Sequence, residues 1–266
     1  MLLAYDRLGG LRVALWCITG LVSAFLLLPI VFIAALSFGS SQWLVFPPPS
    51  WTMKWYQQVF SDPRWLESTW TSFQIAVLVT IASVLLALPA SFALVRGSFP
   101  GKHVLRGLFM TPMVMPVVVF AVALYALFLR VGLSGTMLGF IIAHTILAFP
   151  FALIAISNSL QGFDKAIEDA AVLCGATPLQ AKLRITLPAI RLGVLAAALF
   201  SFLMSWDEVV VAIFMASPTL QTLPVRIWGA LRQDLSPAIA AVSTLLVLTT
   251  LAAMLAAAIV RKAIAK

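Results

Sequence analysis

Two adjacent carboxylates, Asp207 and Glu208, interrupt a strongly apolar stretch of the chain, directly after Trp206. An ionised acid in apolar surroundings is costly unless it faces water or pairs with a cation, so this pair is suited to binding a positive charge. Neighbouring positions on a helix differ by about 100°, so one acid can line a pathway while the other pairs internally or ends the helix. We predict that Trp206, Asp207 and Glu208 contribute to a pathway for a cationic solute. The alternative is that the acids are buried for structural reasons.

A long polar segment, residues 161–191, precedes this stretch and carries a second pattern. Ala166–Cys174 has apolar residues near one helical face, and Gly175 can end that helix. Thr177–Pro178 then places an N-cap residue before a proline at the first helical position, and we expect Leu187–Pro188 to end this second helix. Two such short helices must bury their apolar sides in lipid, in their own bundle or in a partner.

No catalytic or metal-binding pattern accompanies these segments. Gly97–His103 superficially matches a phosphate-binding loop, but three residues separate its glycines where four are needed, and His103 replaces the hydroxyl residue that binds Mg²⁺. His103 and His144 fall in different segments and suggest no metal pair. We therefore expect no enzyme activity, no metal site and no cofactor. Any nucleotide hydrolysis must come from another polypeptide.

The composition places the chain in a lipid bilayer. The sequence is 62% hydrophobic and 10% charged, with a mean hydropathy of +1.08, whereas soluble domains average about 45–50% apolar and about 25% charged residues. The net charge of +8 does not indicate nucleic-acid binding, because the basic residues form short clusters between apolar runs rather than a continuous patch. Long apolar runs with so few charges predict an all-α membrane protein.

Six stretches are long and apolar enough to cross the hydrocarbon core, which takes about 20 residues of helix. They are Val13–Phe38, Trp70–Val95, Gly107–Leu129, Met137–Leu160, Leu192–Met215 and Ala238–Val260. Pro112 and Pro116, four residues apart in the third stretch, can kink it. We predict six transmembrane helices in a single domain over residues 1–266.

Positive charges set the expected orientation. If the N-terminus is cytoplasmic, 12 of the 17 lysines and arginines fall on the inside, among them Arg7 and Lys266 near the chain ends. Cytoplasmic segments of membrane proteins carry this excess. Both termini and the 161–191 segment are therefore predicted to be cytoplasmic.

The 161–191 segment resembles the EAA loop of bacterial ABC importer permeases. The residues similar to that family's Glu-Ala-Ala-x-x-x-Gly and later Leu-Pro pattern are Asp169, Ala170, Ala171, Gly175, Leu187 and Pro188. Asp169 stands where the family most often has Glu, although Glu168 precedes it, and Lys182 stands where an aromatic residue is common. In the family this loop forms the coupling helix that sits in a groove of the cytosolic ATPase. The resemblance thus implies the type I importer permease fold and makes this set, with Glu168, candidates for the ATPase interface.

Ser205–Phe214 and Thr222–Trp228 resemble the spermidine/putrescine branch of these permeases. That branch imports organic cations, which implies a polyamine or related cation as cargo, while opines and aminophosphonates remain open. The family also implies a multi-pass location in the bacterial inner membrane. The partners it implies are a second homologous permease, two cytosolic ATPase subunits, a periplasmic solute-binding protein and the lipid bilayer, with no nucleic acid. An ion-coupled secondary carrier that uses Asp207 and Glu208, and a non-transporting scaffold, are the alternatives.

Overall fold

The structure, a computed structural model, describes residues 9–233 and 236–265. This part of the chain is mostly helical, and its β pairing consists of isolated bridges. The α-helices are α1 Gly9–Leu36, α2 Lys54–Ser61, α3 Pro63–Arg96, α4 Lys102–Val114, α5 Val117–Val131, α6 Met137–Gln161, α7 Lys165–Leu173, α8 Pro178–Ala181, α9 Leu187–Ala189, α10 Arg191–Trp206, α11 Val210–Met215, α12 Leu223–Gln233 and α13 Pro237–Ala265. Arg7 and Lys266, counted above as inside charges, lie outside the described residues.

Four of the described helices, α1, α3, α6 and α13, are individually long and apolar enough to cross a membrane. Two helix pairs pass the same test together although each is bent. α4 and α5 meet at 103°, and the helical run Pro178–Ala189 meets α10 at 72°. The chain therefore has four to six candidate spans, and six is reached if each bent pair is one span.

The chain forms two compact units, and the first comprises the described residues of 1–62 and 230–248. α1 exposes apolar side chains along its length, so lipid or a partner must cover it. The segment that follows is held by α2, because the Trp55 indole N–H donates to the Gly39 carbonyl at 2.6 Å. The hydroxyl groups of Ser37 and Tyr56 add a contact of 2.7 Å.

The second unit comprises residues 63–229 and the described residues of 249–266. Its centre is the packing of α3, α6 and α10 against one another. Phe140 of α6 and Ile75 of α3 belong to a buried cluster that also includes residues of α5 and α11. Ile156 of α6 and Ala197 of α10 belong to a second cluster nearer the C-terminal end of α6. Both candidate sites are attached to this three-helix centre.

Gly193 allows α10 to approach α6 closely. A Cβ atom added at Gly193 would lie 2.6 Å from Ser159 Oγ and 3.2 Å from the Ala155 carbonyl oxygen, and would overlap Ser159 Cβ. Small residues permit this depth of contact between helices in membranes.

The stretch predicted as the third span, Gly107–Leu129, is divided between two helices. α4 ends at Val114, Met115 is extended with φ −70° and ψ 140°, and α5 begins after Pro116. Pro116 has no N–H for the helical ladder, and its ring drives the preceding residue out of the helical region. The predicted kink is therefore a complete break at Pro116.

The stretch predicted as the fifth span, Leu192–Met215, is also divided between two helices. α10 ends at Trp206, residues 207–209 leave the helix, and α11 begins at Val210. The break coincides with the two acids singled out in the sequence, and its cause lies in the contacts of Glu208 described below.

Candidate coupling loop and acidic helix break

Local sequence signals set the ends of α7. Asp164 caps the helix, its carboxylate accepting a hydrogen bond from the Ala166 N–H at 2.9 Å. Gly175 follows the helix with φ +96°, a conformation that strains any residue with a Cβ atom. The Ala176 N–H then donates back to the Ala171 carbonyl at 3.1 Å, which closes the helix end. The predicted role of Gly175 as the stop is confirmed.

The start of α8 also follows the prediction. The Gln180 N–H donates to Thr177 Oγ1 at 3.2 Å, and the Thr177 N–H donates to Gln180 Oε1 at 2.9 Å. This reciprocal capping box satisfies two otherwise unpaired donors, and Pro178 occupies the first turn, where no N–H is needed.

The second helix was predicted to end at Leu187–Pro188, and the helical run ends one residue later, at Ala189. After α8 the helix widens into a π-helical turn, Lys182–Thr186, in which the Leu187 N–H donates to the Lys182 carbonyl, and it continues through α9. The wider turn accommodates Pro188, which has no N–H to donate. Lys182, at the position where the family often has an aromatic residue, places its ammonium group 5.5 Å from the ring centroid of Phe92 on α3. A cation–π contact thus attaches this turn to α3.

Most of the ATPase-interface candidates are accessible on this loop. Asp169, Ala170, Gly175 and Pro188 are exposed, whereas Ala171 and Leu187 are half-buried. Beside them three leucines expose much of their side chains, Leu173 by 89%, Leu179 by 64% and Leu183 by 55%. Exposed leucines next to small residues form a surface suited to a close-packed partner.

Glu168 differs from the other candidates because only 7% of it is exposed. Its Oε1 lies 3.5 Å from Arg96 Nη2 at the end of α3. The same guanidinium nitrogen donates to the carbonyl of Leu160 at 3.2 Å and to that of Phe163 at 2.7 Å. Glu168 therefore faces its own chain, which removes its side chain from the candidate docking surface.

Glu208 holds the break between α10 and α11 open. Its Oε1 accepts hydrogen bonds from the Val210 and Val211 N–H groups, both at 3.1 Å, and its Oε2 accepts from the Ala212 N–H at 3.0 Å. The first N–H groups of a helix have no partner within the helix, so the carboxylate replaces the missing acceptors. The sequence left open whether one acid of the pair ends the helix. α10 ends at Trp206, and Glu208 instead caps the start of the next helix, α11.

Asp207 has different surroundings. It is exposed, and its side chain makes no hydrogen bond or ion pair with the part of the chain that the structure describes. Trp206, by contrast, is buried and stacks on Phe202 at a centroid distance of 5.8 Å. Of the three pathway candidates, Asp207 alone presents a charged group to its surroundings.

A buried pair fixes the helix end that carries these residues. His144 of α6 is buried, and its Nδ1 lies 3.0 Å from the Ser205 hydroxyl on α10. Sequence reasoning missed this pair and the Arg96 contacts, because both join segments more than 60 positions apart. The available signals were a histidine inside an apolar helix and an arginine at a helix end, and neither identifies its partner. In the described part of the chain, no group of three or more His, Cys, Asp or Glu residues could hold a metal ion.

The long apolar helices are those of an α-helical membrane protein, and a polar loop between them presents small residues and leucines. Residues 80–265 match the family of binding-protein-dependent transport system inner membrane components, and the chain belongs to this family. The expected class, a non-enzymatic permease of an ABC importer in the bacterial inner membrane, is therefore confirmed. This family works with a binding protein and with separate ATPase subunits.

The similar proteins include permeases for polyamines. The putrescine transport system permease protein PotI of Escherichia coli (strain K12) is 31% identical over 229 residues, which cover 84% of this chain and 81% of that protein. The spermidine/putrescine transport system permease protein PotC of Haemophilus influenzae (strain ATCC 51907 / DSM 11121 / KW20 / Rd) is 30% identical over 232 residues, covering 87% and 90%. A solved bacterial ABC transporter involved in the import of the acidic polysaccharide alginate matches 98% of both chains with a TM-score of 0.70 at 18% identity, which supports the fold alone.

Proposed function

We propose that this permease passes a small organic cation, such as putrescine, spermidine or a related polyamine, across the inner membrane. The observation that carries the proposal is the exposed Asp207 carboxylate at the break between α10 and α11, in a chain similar to permeases for putrescine and spermidine. An ammonium group that leaves water loses hydration, and a carboxylate in a path of low dielectric offsets part of that loss.

Asp207 and Glu208 have different roles in this proposal. Both Glu208 oxygens are occupied by backbone N–H groups, so Glu208 maintains the break. Asp207 has no such bonds within the described residues, so its charge is available to the cargo. Trp206 is buried and positions Asp207 through its stacking on Phe202. Of the three residues predicted to line the pathway, this proposal therefore keeps only Asp207 in contact with the cargo.

The proposed topology has six spans with both termini in the cytoplasm, so that the 161–191 loop meets the ATPases. Residues 1–266 act as one permease domain, which pairs with a second homologous permease. Two ATPase subunits dock on the exposed face of α7 and α8, and a periplasmic solute-binding protein delivers the cargo on the other side. Closure of the ATPases on ATP displaces α7 and α8, and the movement passes to α3 and α10.

The test is uptake of radiolabelled putrescine and spermidine by the complete transporter in proteoliposomes. Asp207→Asn removes the charge and keeps the size, and we expect uptake to fall about tenfold or more, equivalent to about 1.4 kcal/mol. Glu67→Gln, at an exposed acid on α3 outside both sites, is the matched control. Full uptake by an assembled Asp207→Asn transporter would exclude the pathway role. Uptake driven by an ion gradient without ATP would support the ion-coupled carrier instead.

A further inference from the structure

Arg96 joins the three elements that meet beneath the coupling loop. It is the last residue of α3, and its Nη2 donates to the carbonyl of Leu160 in the last turn of α6 at 3.2 Å and to that of Phe163, just after α6, at 2.7 Å. The last carbonyl groups of a helix have no partner within the helix, and a cation there also complements the helix dipole. These bonds hold the ends of α3 and α6 together.

The contact between Arg96 and α7 is looser. The distance from Nη2 to Glu168 Oε1 is 3.5 Å, and neither Arg96 Nε nor Glu168 Oε1 has a hydrogen-bond partner, although both atoms are buried. A two-pronged arginine–carboxylate pair would use shorter and parallel bonds. The attraction to α7 is therefore mainly electrostatic and tolerates a change in distance.

The surroundings of the pair leave room for such a change. A cavity of about 530 Å³ is lined by Arg96, Glu168 and neighbouring residues of α7 and α8. The side chains of the pair are nevertheless only 17% and 9% exposed. Because both side chains are largely buried, moving the two charges far apart would leave each without compensation, which is costly.

We propose that Arg96 is the positioning residue that transmits displacement of the coupling helix α7, through Glu168, to the inner ends of α3 and α6. Its hydrogen bonds at the end of α6 are short, whereas its ion pair with Glu168 of α7 can change in length. This inference rests on the proposed ATP-driven function. It assigns Glu168 to transmission within the chain, whereas the exposed residues of the loop contact the ATPase.

Glu168→Gln tests this role of Arg96 in the complete transporter, because it removes the carboxylate charge that faces Arg96 and leaves the hydrogen bonds of Arg96 at the end of α6 in place. We expect assembly and ATP hydrolysis to stay within about twofold of wild type while the solute transported per ATP falls about fivefold to tenfold, in the range of typical coupling between sites. Arg96→Gln, which also removes the hydrogen bonds to the Leu160 and Phe163 carbonyls, should lower this ratio further. Lys102→Gln is the control, since Lys102 donates to the Gly97 carbonyl at 2.9 Å without contacting the loop.

A wild-type ratio of transport to hydrolysis in Glu168→Gln would overturn the proposal. Failure of that variant to assemble, with Lys102→Gln normal, would overturn it too, because Glu168 would then determine folding rather than transmission. If uptake by the wild-type transporter did not require ATP, the proposed function itself would fail. The measurement on wild type thus distinguishes failure of the proposed function from failure of the role assigned to Arg96.

Discussion

Replacing Glu208 tests the cause of the break between α10 and α11. Its carboxylate accepts three backbone hydrogen bonds, two at Oε1 and one at Oε2. In Glu208→Gln the amide oxygen can still serve Val210 and Val211, but the amide nitrogen cannot accept from Ala212. The reverse orientation of the amide loses two bonds instead of one.

The magnitude follows from these bonds. Leaving one buried donor unpaired costs about 1–3 kcal/mol, and hydrogen bonds to a charged acceptor are worth about 1.5–3 kcal/mol against about 1 kcal/mol for neutral ones. Glu208→Gln should therefore lower the free energy of unfolding by about 2–4 kcal/mol. Glu208→Ala leaves all three donors unpaired and should cost more, at least about 3 kcal/mol.

The assay is unfolding of the purified protein from mixed micelles by titration with sodium dodecyl sulfate, followed by circular dichroism. Asp207→Asn is the matched control, because the exposed Asp207 side chain makes no hydrogen bond within the described residues, and its stability should change by less than about 0.5 kcal/mol. Equal stabilities of Glu208→Gln and wild type would refute the capping role. A larger loss in Asp207→Asn than in Glu208→Gln would reverse the roles assigned to the two acids.

Three further predictions concern packing and orientation. Gly193→Ala should destabilise the protein by about 1–3 kcal/mol in the same titration, since the added methyl group overlaps Ser159. Ser205→Ala should cost about 1–3 kcal/mol, because it leaves the buried His144 ring without its hydrogen bond. Cys174 is exposed at the end of α7, so a membrane-impermeant maleimide should label it in inverted vesicles and not in intact spheroplasts.

Each of these has a control or a contrary result. Gly107→Ala should be neutral or stabilising, because an added Cβ there meets nothing within 4 Å; equal losses at both glycines would mean that packing is not the cause. Ser98→Ala, at an exposed serine, should leave stability unchanged. Labelling of Cys174 from the periplasmic side would reverse the predicted orientation, and a Cys17→Ser background prevents labelling at the other cysteine from obscuring the result.

Local and compositional signals were sufficient for much of the fold, and the resemblance to the EAA loop indicated the family. The apolar runs predict the long helices because about 20 apolar residues suffice to cross the hydrocarbon core. Gly175 and the Thr177 cap act within a few residues of themselves, so their effects can be read directly. The spacing from Asp169 to Leu187 indicates the coupling loop before any coordinates are known.

Other features depend on which segments meet in three dimensions. Pro116 signals a kink, but the 103° turn appears only in the structure, where α4 packs against α6 and α5 packs against α11. The sequence does not indicate which of the two adjacent acids caps a helix. The structure shows that Glu208 does so, because three backbone N–H groups donate to its carboxylate, whereas none within the described residues donates to that of Asp207.

The sequence by itself therefore determined the membrane class, the long helices and the two short helices within residues 161–191, because each arises from residue type and short-range spacing. The tertiary structure decided that Glu168 faces Arg96 of its own chain and that His144 contacts Ser205. It also decided that the predicted span Leu192–Met215 is divided into α10 and α11. Those features arise from contacts between distant segments, where burial and hydrogen-bond partners are set by packing rather than by the local order of residues.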